Sequence, residues 1–177
     1  MHRSFASQDD NAAIIPRMSF LRFFMLLSLA VWIGGLTFFA FVLAPTAFQV
    51  LPNTHLAGNV VGRALGKLHW LAIFSGIVFL ISSLLYSRIT QGSAHVFAAR
   101  HVLIVVMLAL TLFSQYWIIS RMDTLRAKVS DFAAVALNNP IRMQFDTLHA
   151  WSTRVEGAVL LLGLVAIYLT ANAFGKR

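Results

Sequence analysis

Five polar side chains near the start of the last apolar segment could form one chemical cluster. Successive steps of four, three, four and three residues place them on one face of a helix; they are Arg142, Asp146, His149, Thr153 and Glu156. Glu156 lies at the edge of an apolar run, where an ionised carboxylate is costly unless it is paired or hydrated. Its candidate partners are Arg154, Arg63, Lys67 and His69.

Three interpretations of this cluster are open. The first is a structural polar network of these five residues with Arg63. The second is a metal site of His69, His149 and Glu156, or a haem b or copper site that uses His69 and His149, because histidines on neighbouring helices are common ligands in bundles. The third is a pathway for protons or a small ligand through His149 and Glu156. We expect the structural network and no cofactor, with haem b or copper as the alternative.

The chain lacks the usual signatures of hydrolytic and redox enzymes. It contains no Gly-x-Ser-x-Gly, no His-Glu-x-x-His and no phosphate loop. The absence of cysteine excludes disulfides, thiolate zinc sites and covalently attached haem. We therefore expect no enzymatic activity and no catalytic residue.

The composition indicates which kind of protein positions these side chains. Apolar residues make up 59% of the chain and charged residues 11%, whereas soluble domains average about 45–50% and about 25%. The net charge is +8, but the basic residues flank the apolar runs, which is typical of membrane segments. We expect a lipid bilayer as the partner and no nucleic acid.

Four uncharged apolar runs predict four transmembrane helices, at about 23–44, 68–87, 102–120 and 157–174. Each is close to the ~20 residues that a helix needs to cross the ~30 Å hydrocarbon layer. The fold class is therefore an all-α integral membrane four-helix bundle with up-down-up-down topology. We assign residues 1–16 to a polar, irregular lead-in and 17–177 to the transmembrane domain.

The predicted helices are longer than the membrane requires, and they cover about 17–51, 54–89, 96–137 and 140–174. An apolar stripe continues past Ser120, which predicts an amphipathic extension of the third helix to position 137. Thr54 and Asn139 are candidate N-caps, the latter followed by Pro140. The extensions form what we name the elongated end, residues 46–66 and 121–153.

Small residues predict how the helices associate. Membrane helices pack through close backbone approach, and the first helix offers Ala30, Gly34 and Gly35 for such a contact. We expect Gly34→Leu to destabilise the bundle by overpacking.

The orientation depends on the basic residues at the two ends, which number seven on each side. Those at the end with the termini lie closer to the apolar runs, which favours cytoplasmic termini in a bacterial inner membrane.

Two stretches resemble a known family. Residues 32–39 (Trp-Ile-Gly-Gly-Leu-Thr-Phe-Phe), followed by Ala44 and Pro45, and residues 145–152 (Phe-Asp-Thr-Leu-His-Ala-Trp-Ser) are similar to the transmembrane protein 205-like family. The resemblance implies a small four-helix membrane protein whose biochemical activity is largely undefined; a eukaryotic member is associated with platinum-drug resistance. The first stretch also resembles copper-resistance membrane proteins.

Together these features predict a non-enzymatic integral membrane protein with one of two roles. It is expected to be an accessory subunit of a larger membrane complex, with other membrane proteins as partners, or a protein that handles metals or toxic compounds.

Overall fold

A computed structural model describes residues 3–92, 98–129 and 134–175, with side chains from residue 16 onward except Gln91. Four of its helices are long and apolar enough to cross a membrane, namely Pro16–Val50, Thr54–Thr90, Ala99–Arg126 and Pro140–Gly175. The described residues therefore confirm an all-α four-helix membrane protein.

Helix one is continuous from Arg3 to Val50 and has three parts. An α-helix, Arg3–Phe38, passes into a π-helical segment, Phe39–Leu43, and then into a second α-helical part, Ala44–Val50. The lead-in that the sequence predicted to be irregular is instead helical from Arg3. Alanines favour a helix there and no glycine opposes it, and the helix continues through Pro16 although an interior proline removes a backbone donor and crowds the carbonyl one turn earlier.

Helix two is Thr54–Gln91, and its two ends show why it begins and stops where it does. The Asn53 side chain caps the first turn by accepting from the Leu56 backbone N–H at 2.8 Å, so the cap lies one residue before the predicted Thr54. At the other end, Gly92 adopts a left-handed φ of 69°, a conformation that glycine reaches without steric cost.

Helix three consists of Ala99–Phe113, a π-helical segment Ser114–Ile119, and Ser120–Arg126. It ends at Arg126, about eleven residues before the predicted position 137, and residues 130–133 of the predicted extension lie outside the described residues. Its last turn tightens through a bond from the Lys128 N–H to the Leu125 carbonyl. An amphipathic stripe alone does not sustain a helix without a surface to pack against.

Helix four is Pro140–Gly175. The Asn139 side chain accepts from the Ile141 backbone N–H at 2.9 Å, so the predicted N-cap is present. Proline at the first helical position loses no hydrogen bond, since that N–H has no partner within the helix.

The four helices form a closed ring. Consecutive helices pack against each other, and helix one also packs against helix four. Trp32, Phe79, Met107 and Val159 fill the centre and are buried. Gly163 permits the closest approach, because a Cβ at that position would overlap the side chain of Ile33. Large apolar side chains such as Phe74 and Leu161 face outward, toward the lipid of a bilayer.

Of the two glycines that the sequence offered for a close helix contact, Gly35 makes one and Gly34 does not. Gly35 lies against helix two, and a Cβ there would come 2.8 Å from the Leu68 side chain. Ala30 and Gly34 are exposed, with open space beside Gly34. The structure therefore gives no basis for destabilisation by Gly34→Leu, because the small residues at 30 and 34 turn away from the neighbouring helices.

Candidate functional site

A histidine and a glutamate meet inside the bundle. The Nε2 atom of His69 on helix two lies 2.8 Å from Oε1 of Glu156 on helix four. His69 is 1% exposed, and the Glu156 side chain is 12% exposed. Helix three completes the cluster, since Gln115 Oε1 lies 2.8 Å from His69 Nδ1 and the Ser114 hydroxyl donates to Glu156 Oε1 at 2.9 Å. We name His69, Ser114, Gln115 and Glu156 the buried polar cluster.

The π-helical segment of helix three supplies two of these four residues. Ser114 and Gln115 are its first two residues, and they contact different members of the His69–Glu156 pair. A π-helical turn contains more residues than an α-helical turn and therefore changes which neighbours face the same side; such turns are frequent at functional sites.

The hydrogen bonds restrict where the protons of the cluster lie. When the Gln115 amide presents Oε1 to His69, both ring nitrogens of His69 face acceptor oxygens. A histidine donates a hydrogen bond from both ring nitrogens only when the ring is doubly protonated, and such a ring would pair with an ionised Glu156. A singly protonated ring fits if the amide is turned or if Glu156 carries the other proton.

A large cavity adjoins the cluster. It is partly open, its volume is about 590 Å³ and Glu156 forms part of its wall; pockets for small organic ligands span roughly 300–1,000 Å³. Helix one contributes an apolar wall that includes Phe39, Ala40 and Phe41 of its π-helical segment. Both described π-helical segments therefore border this cavity, as Ile119 of helix three also lines it.

The remaining polar side chains of the cavity wall come from the elongated end. They are Thr54, His55, Asp123, Arg126, His149, Ser152 and Thr153. Asp123 and Arg126 form an ion pair at 2.9 Å. Arg126 also lies over the Phe145 ring, and its guanidinium lies close to Gly62, where an added Cβ would come 3.0 Å from Arg126 Nη1.

The polar network predicted along helix four is not assembled as expected. Arg142 reaches Asp146 only at 3.9 Å, where the Asp146 side chain is mostly exposed, and it also donates to the Val135 carbonyl. Glu156 pairs with His69 instead of with Arg63, which is exposed. The shared helical face is real, but Glu156 bonds to helices two and three and is not joined to the Arg142–Asp146 pair in one network.

Two further members of that predicted network make local contacts only. The Thr153 hydroxyl donates to the His149 carbonyl one turn earlier at 3.1 Å. The His149 ring is stacked on Phe145.

The shared metal site of His69, His149 and Glu156 is not formed either. Among the described residues, no group of three or more His, Cys, Asp and Glu side chains could hold a metal ion. Both ring nitrogens of His69 are already bonded, so a metal, copper or haem iron would have to displace Gln115 or Glu156. This arrangement does not fit the alternative of a haem b or copper site on His69 and His149.

A second buried cluster lies toward the other end of the bundle. His101 Nε2 is 2.7 Å from the Ser83 hydroxyl, which also accepts from Arg100 Nε at 2.9 Å. Nearby, Arg22 donates to the Tyr86 hydroxyl at 2.8 Å. These contacts join helices one, two and three, and the sequence prediction missed them.

The fold and the buried cluster define a class of protein: a four-helix membrane protein with a histidine–glutamate pair beside an apolar cavity. Residues 27–130 match a family described as Domain of unknown function (DUF4149), and the chain belongs to that family. The match includes His69 and Gln115, whereas Glu156 lies beyond it. No curated protein and no solved structure is detectably similar to the chain. The family is a small, uncharacterised membrane family, which agrees with the coarser part of the resemblance seen in the sequence.

Proposed function

We propose that this protein is a non-enzymatic membrane protein that binds amphipathic small molecules in the cavity beside Glu156 and so handles toxic compounds. The single observation that carries the proposal is the cavity of about 590 Å³ within the bundle. Its walls are mostly apolar, with a few polar groups on one side, which is the usual chemistry of a small-molecule site.

The position of the cavity supports entry from the membrane. Its wall includes exposed aromatic residues of helix one, Phe41 and Phe48, beside the buried Leu65. Phe41 lies within the apolar run 23–44, whereas Phe48 and most of the wall belong to the elongated end, so a compound dissolved in lipid would meet the cavity at the edge of the bilayer. The resemblance of residues 32–39 and 145–152 to the transmembrane protein 205-like family is compatible with the handling of toxic compounds, because a eukaryotic member of that family is associated with platinum-drug resistance.

No resident cofactor is part of this proposal. Of the two roles expected from the sequence, an accessory subunit and a handler of compounds, the cavity favours the second. Handling of metals is not retained, since the described side chains form no three-residue metal group.

The cavity can be tested by filling it. Gly157 lines the cavity and has open space beside it, so Gly157→Phe should place a ring in the cavity without a clash. Gly34→Phe is the matched control, because Gly34 also has open space but lies on the exposed face of helix one.

The measurement is energy transfer from the protein's tryptophans to N-phenyl-1-naphthylamine, a neutral apolar fluorophore, in lipid nanodiscs. Dye dissolved in the lipid gives a background that both variants share. We expect saturable transfer in the wild type and in Gly34→Phe, and its loss in Gly157→Phe. Equal transfer in all three proteins would show that the dye occupies only lipid and would refute the proposed function.

We further propose a bacterial inner membrane with both termini in the cytoplasm, because Arg17, Arg22, Arg88 and Arg100 lie next to the apolar runs at the end that carries the termini. The chain has no cysteine, so single cysteines report its topology directly. Asn138→Cys should react with a membrane-impermeant maleimide in intact cells, and Arg177→Cys only after the cells are opened. The reverse pattern would invert the orientation.

A further inference from the structure

We propose that the ligand of this cavity is a lipophilic organic cation, bound by Glu156 in exchange for one proton of the His69–Glu156 pair. This inference rests on the proposed function and names the chemical class of the compound. It also assigns the buried polar cluster a role, since the cluster would couple occupancy of the cavity to protonation.

The charged and titratable groups around the cavity come from three of the four helices. Helix one contributes only apolar wall residues. Helix two contributes His55 at the wall and His69 behind Glu156, helix three contributes Asp123 and Arg126, and helix four contributes His149 and Glu156. Arg63 and Lys67 of helix two are exposed and are not among the wall residues.

Two of these groups form a fixed pair. Asp123 and Arg126 lie 2.9 Å apart, and an arginine does not give up its proton in a protein. Arg126 is held further by the Phe145 ring and by its contact at Gly62. The pair is neutral as a whole, and the Asp123 side chain is 60% exposed, so its charge is compensated by Arg126 and by water.

The pair of Glu156 and His69 differs because a protonated His69 loses its positive charge when it gives up a proton. Glu156 Oε1 makes both contacts that tie this residue to the cluster, one with His69 Nε2 and one with the Ser114 hydroxyl, which donates to it. Loss of one proton from His69 leaves a neutral ring and a carboxylate at the wall of an apolar cavity. A bare carboxylate in such surroundings is costly, and an organic cation in the cavity would neutralise it.

The charge balance fixes the stoichiometry. Before binding, the pair is neutral and holds one ionisable proton beside the N–H that a neutral imidazole keeps, whether as imidazolium with carboxylate or as imidazole with carboxylic acid. When a monovalent cation binds, the ionisable proton passes to water and the N–H stays on the imidazole. The site remains neutral before and after, so one proton is released for each cation bound.

The pH dependence follows from this exchange. A released proton is a product of binding, so low pH opposes binding and the affinity rises with pH. For one-to-one exchange the dissociation constant falls about tenfold per pH unit, until the pair has already lost its proton in the empty protein.

The test compares two ions of nearly the same shape and opposite charge, tetraphenylphosphonium and tetraphenylborate. Binding is measured on full-length protein in nanodiscs, with Gly157→Phe nanodiscs subtracted to remove partition into lipid. We expect saturable binding of tetraphenylphosphonium, at least tenfold tighter than any binding of tetraphenylborate. Titration in weakly buffered solution should detect one proton released per cation.

Two variants assign the carboxylate. Glu156→Gln keeps a side chain that can hydrogen-bond to His69 and Ser114, and it should lose tetraphenylphosphonium binding while still binding the neutral fluorophore, which also shows that it is folded. Asp146→Asn removes the same charge from an exposed position of helix four outside the cavity wall, and it should bind tetraphenylphosphonium as the wild type does.

The outcomes separate this inference from the proposed function. If the neutral fluorophore binds in the cavity but tetraphenylphosphonium binds no more tightly than tetraphenylborate, releases no proton or ignores Glu156→Gln, the cation exchange is overturned and the binding function stands. If Gly157→Phe changes the binding of neither the fluorophore nor tetraphenylphosphonium, both the cation exchange and the proposed function are overturned.

Discussion

The Nε2 atom of His69 lies 2.8 Å from Oε1 of Glu156, although the two residues are 87 positions apart in the chain. The contact joins helix two to helix four, and helix three adds Ser114 and Gln115 to it. A buried pair of this kind is held in place by its partners more than it contributes net stability, because both groups lose their hydration. Because Glu156 also lines the cavity, the pair is placed to contact a small molecule bound there.

Removing one member of the pair should cost more than removing both. Glu156→Leu leaves His69 buried without its partner, and we expect a loss of about 3–5 kcal/mol in the free energy of unfolding. The double variant His69→Leu/Glu156→Leu should recover much of that loss. Denaturant unfolding in mixed micelles of the wild type, both single variants and the double variant measures the coupling. Strictly additive losses would mean that the pair does not interact as described.

Much of this architecture could be predicted from the sequence, because the length and purity of four apolar runs leave few alternatives. Asn139 followed by Pro140 also fixed the start of helix four correctly. The end of helix three could not be found in the same way. The stripe past Ser120 has helical spacing, but whether a helix persists there depends on what it packs against, which is tertiary information.

The site was only partly accessible from the sequence. His69 was one of four candidate partners for Glu156, and nothing in their spacing distinguished it from Arg63 or Lys67. Gln115 went unnoticed because it is uncharged, although an amide within an apolar run is itself a signal of a buried polar contact. The π-helical turn that presents it has no recognisable sequence pattern.

The packing of helices one and four depends on Gly163. A side chain there would overlap Ile33, so Gly163→Leu should lower the free energy of unfolding by about 1–3 kcal/mol or prevent assembly. Gly34→Leu is the control and should have little effect, because the space beside Gly34 is open. Thermal unfolding in detergent compares them. Similar losses in the two variants would contradict the helix contacts described here.

A charge-assisted hydrogen bond connects Arg22 to the Tyr86 hydroxyl at 2.8 Å. Tyr86→Phe removes the acceptor and should cost about 1.5–3 kcal/mol, since hydrogen bonds to charged groups are the stronger ones. Tyr168→Phe, at an outward-facing position that is 65% exposed, should change stability much less. Unfolding measurements in which both variants behave alike would remove Arg22 from the account of the bundle's stability.

The start of helix four depends on its cap. Asn139→Ala removes the acceptor for the Ile141 N–H and should cost about 1 kcal/mol. Its neighbour Asn138 is exposed and provides a control one residue away. Hydrogen exchange of the first turn of helix four should accelerate in Asn139→Ala and stay unchanged in Asn138→Ala. Equal exchange in both variants would show that the cap does not hold this turn.

The occupancy of the cavity is tested most directly by an experimental structure of the protein with a bromine-labelled derivative of N-phenyl-1-naphthylamine. Anomalous scattering from bromine locates the compound without assumptions about its pose. The account predicts a bromine peak inside the cavity, between helix one and Glu156, and no such peak in Gly157→Phe. Bromine found only along the outer, lipid-facing surface of the bundle would contradict it.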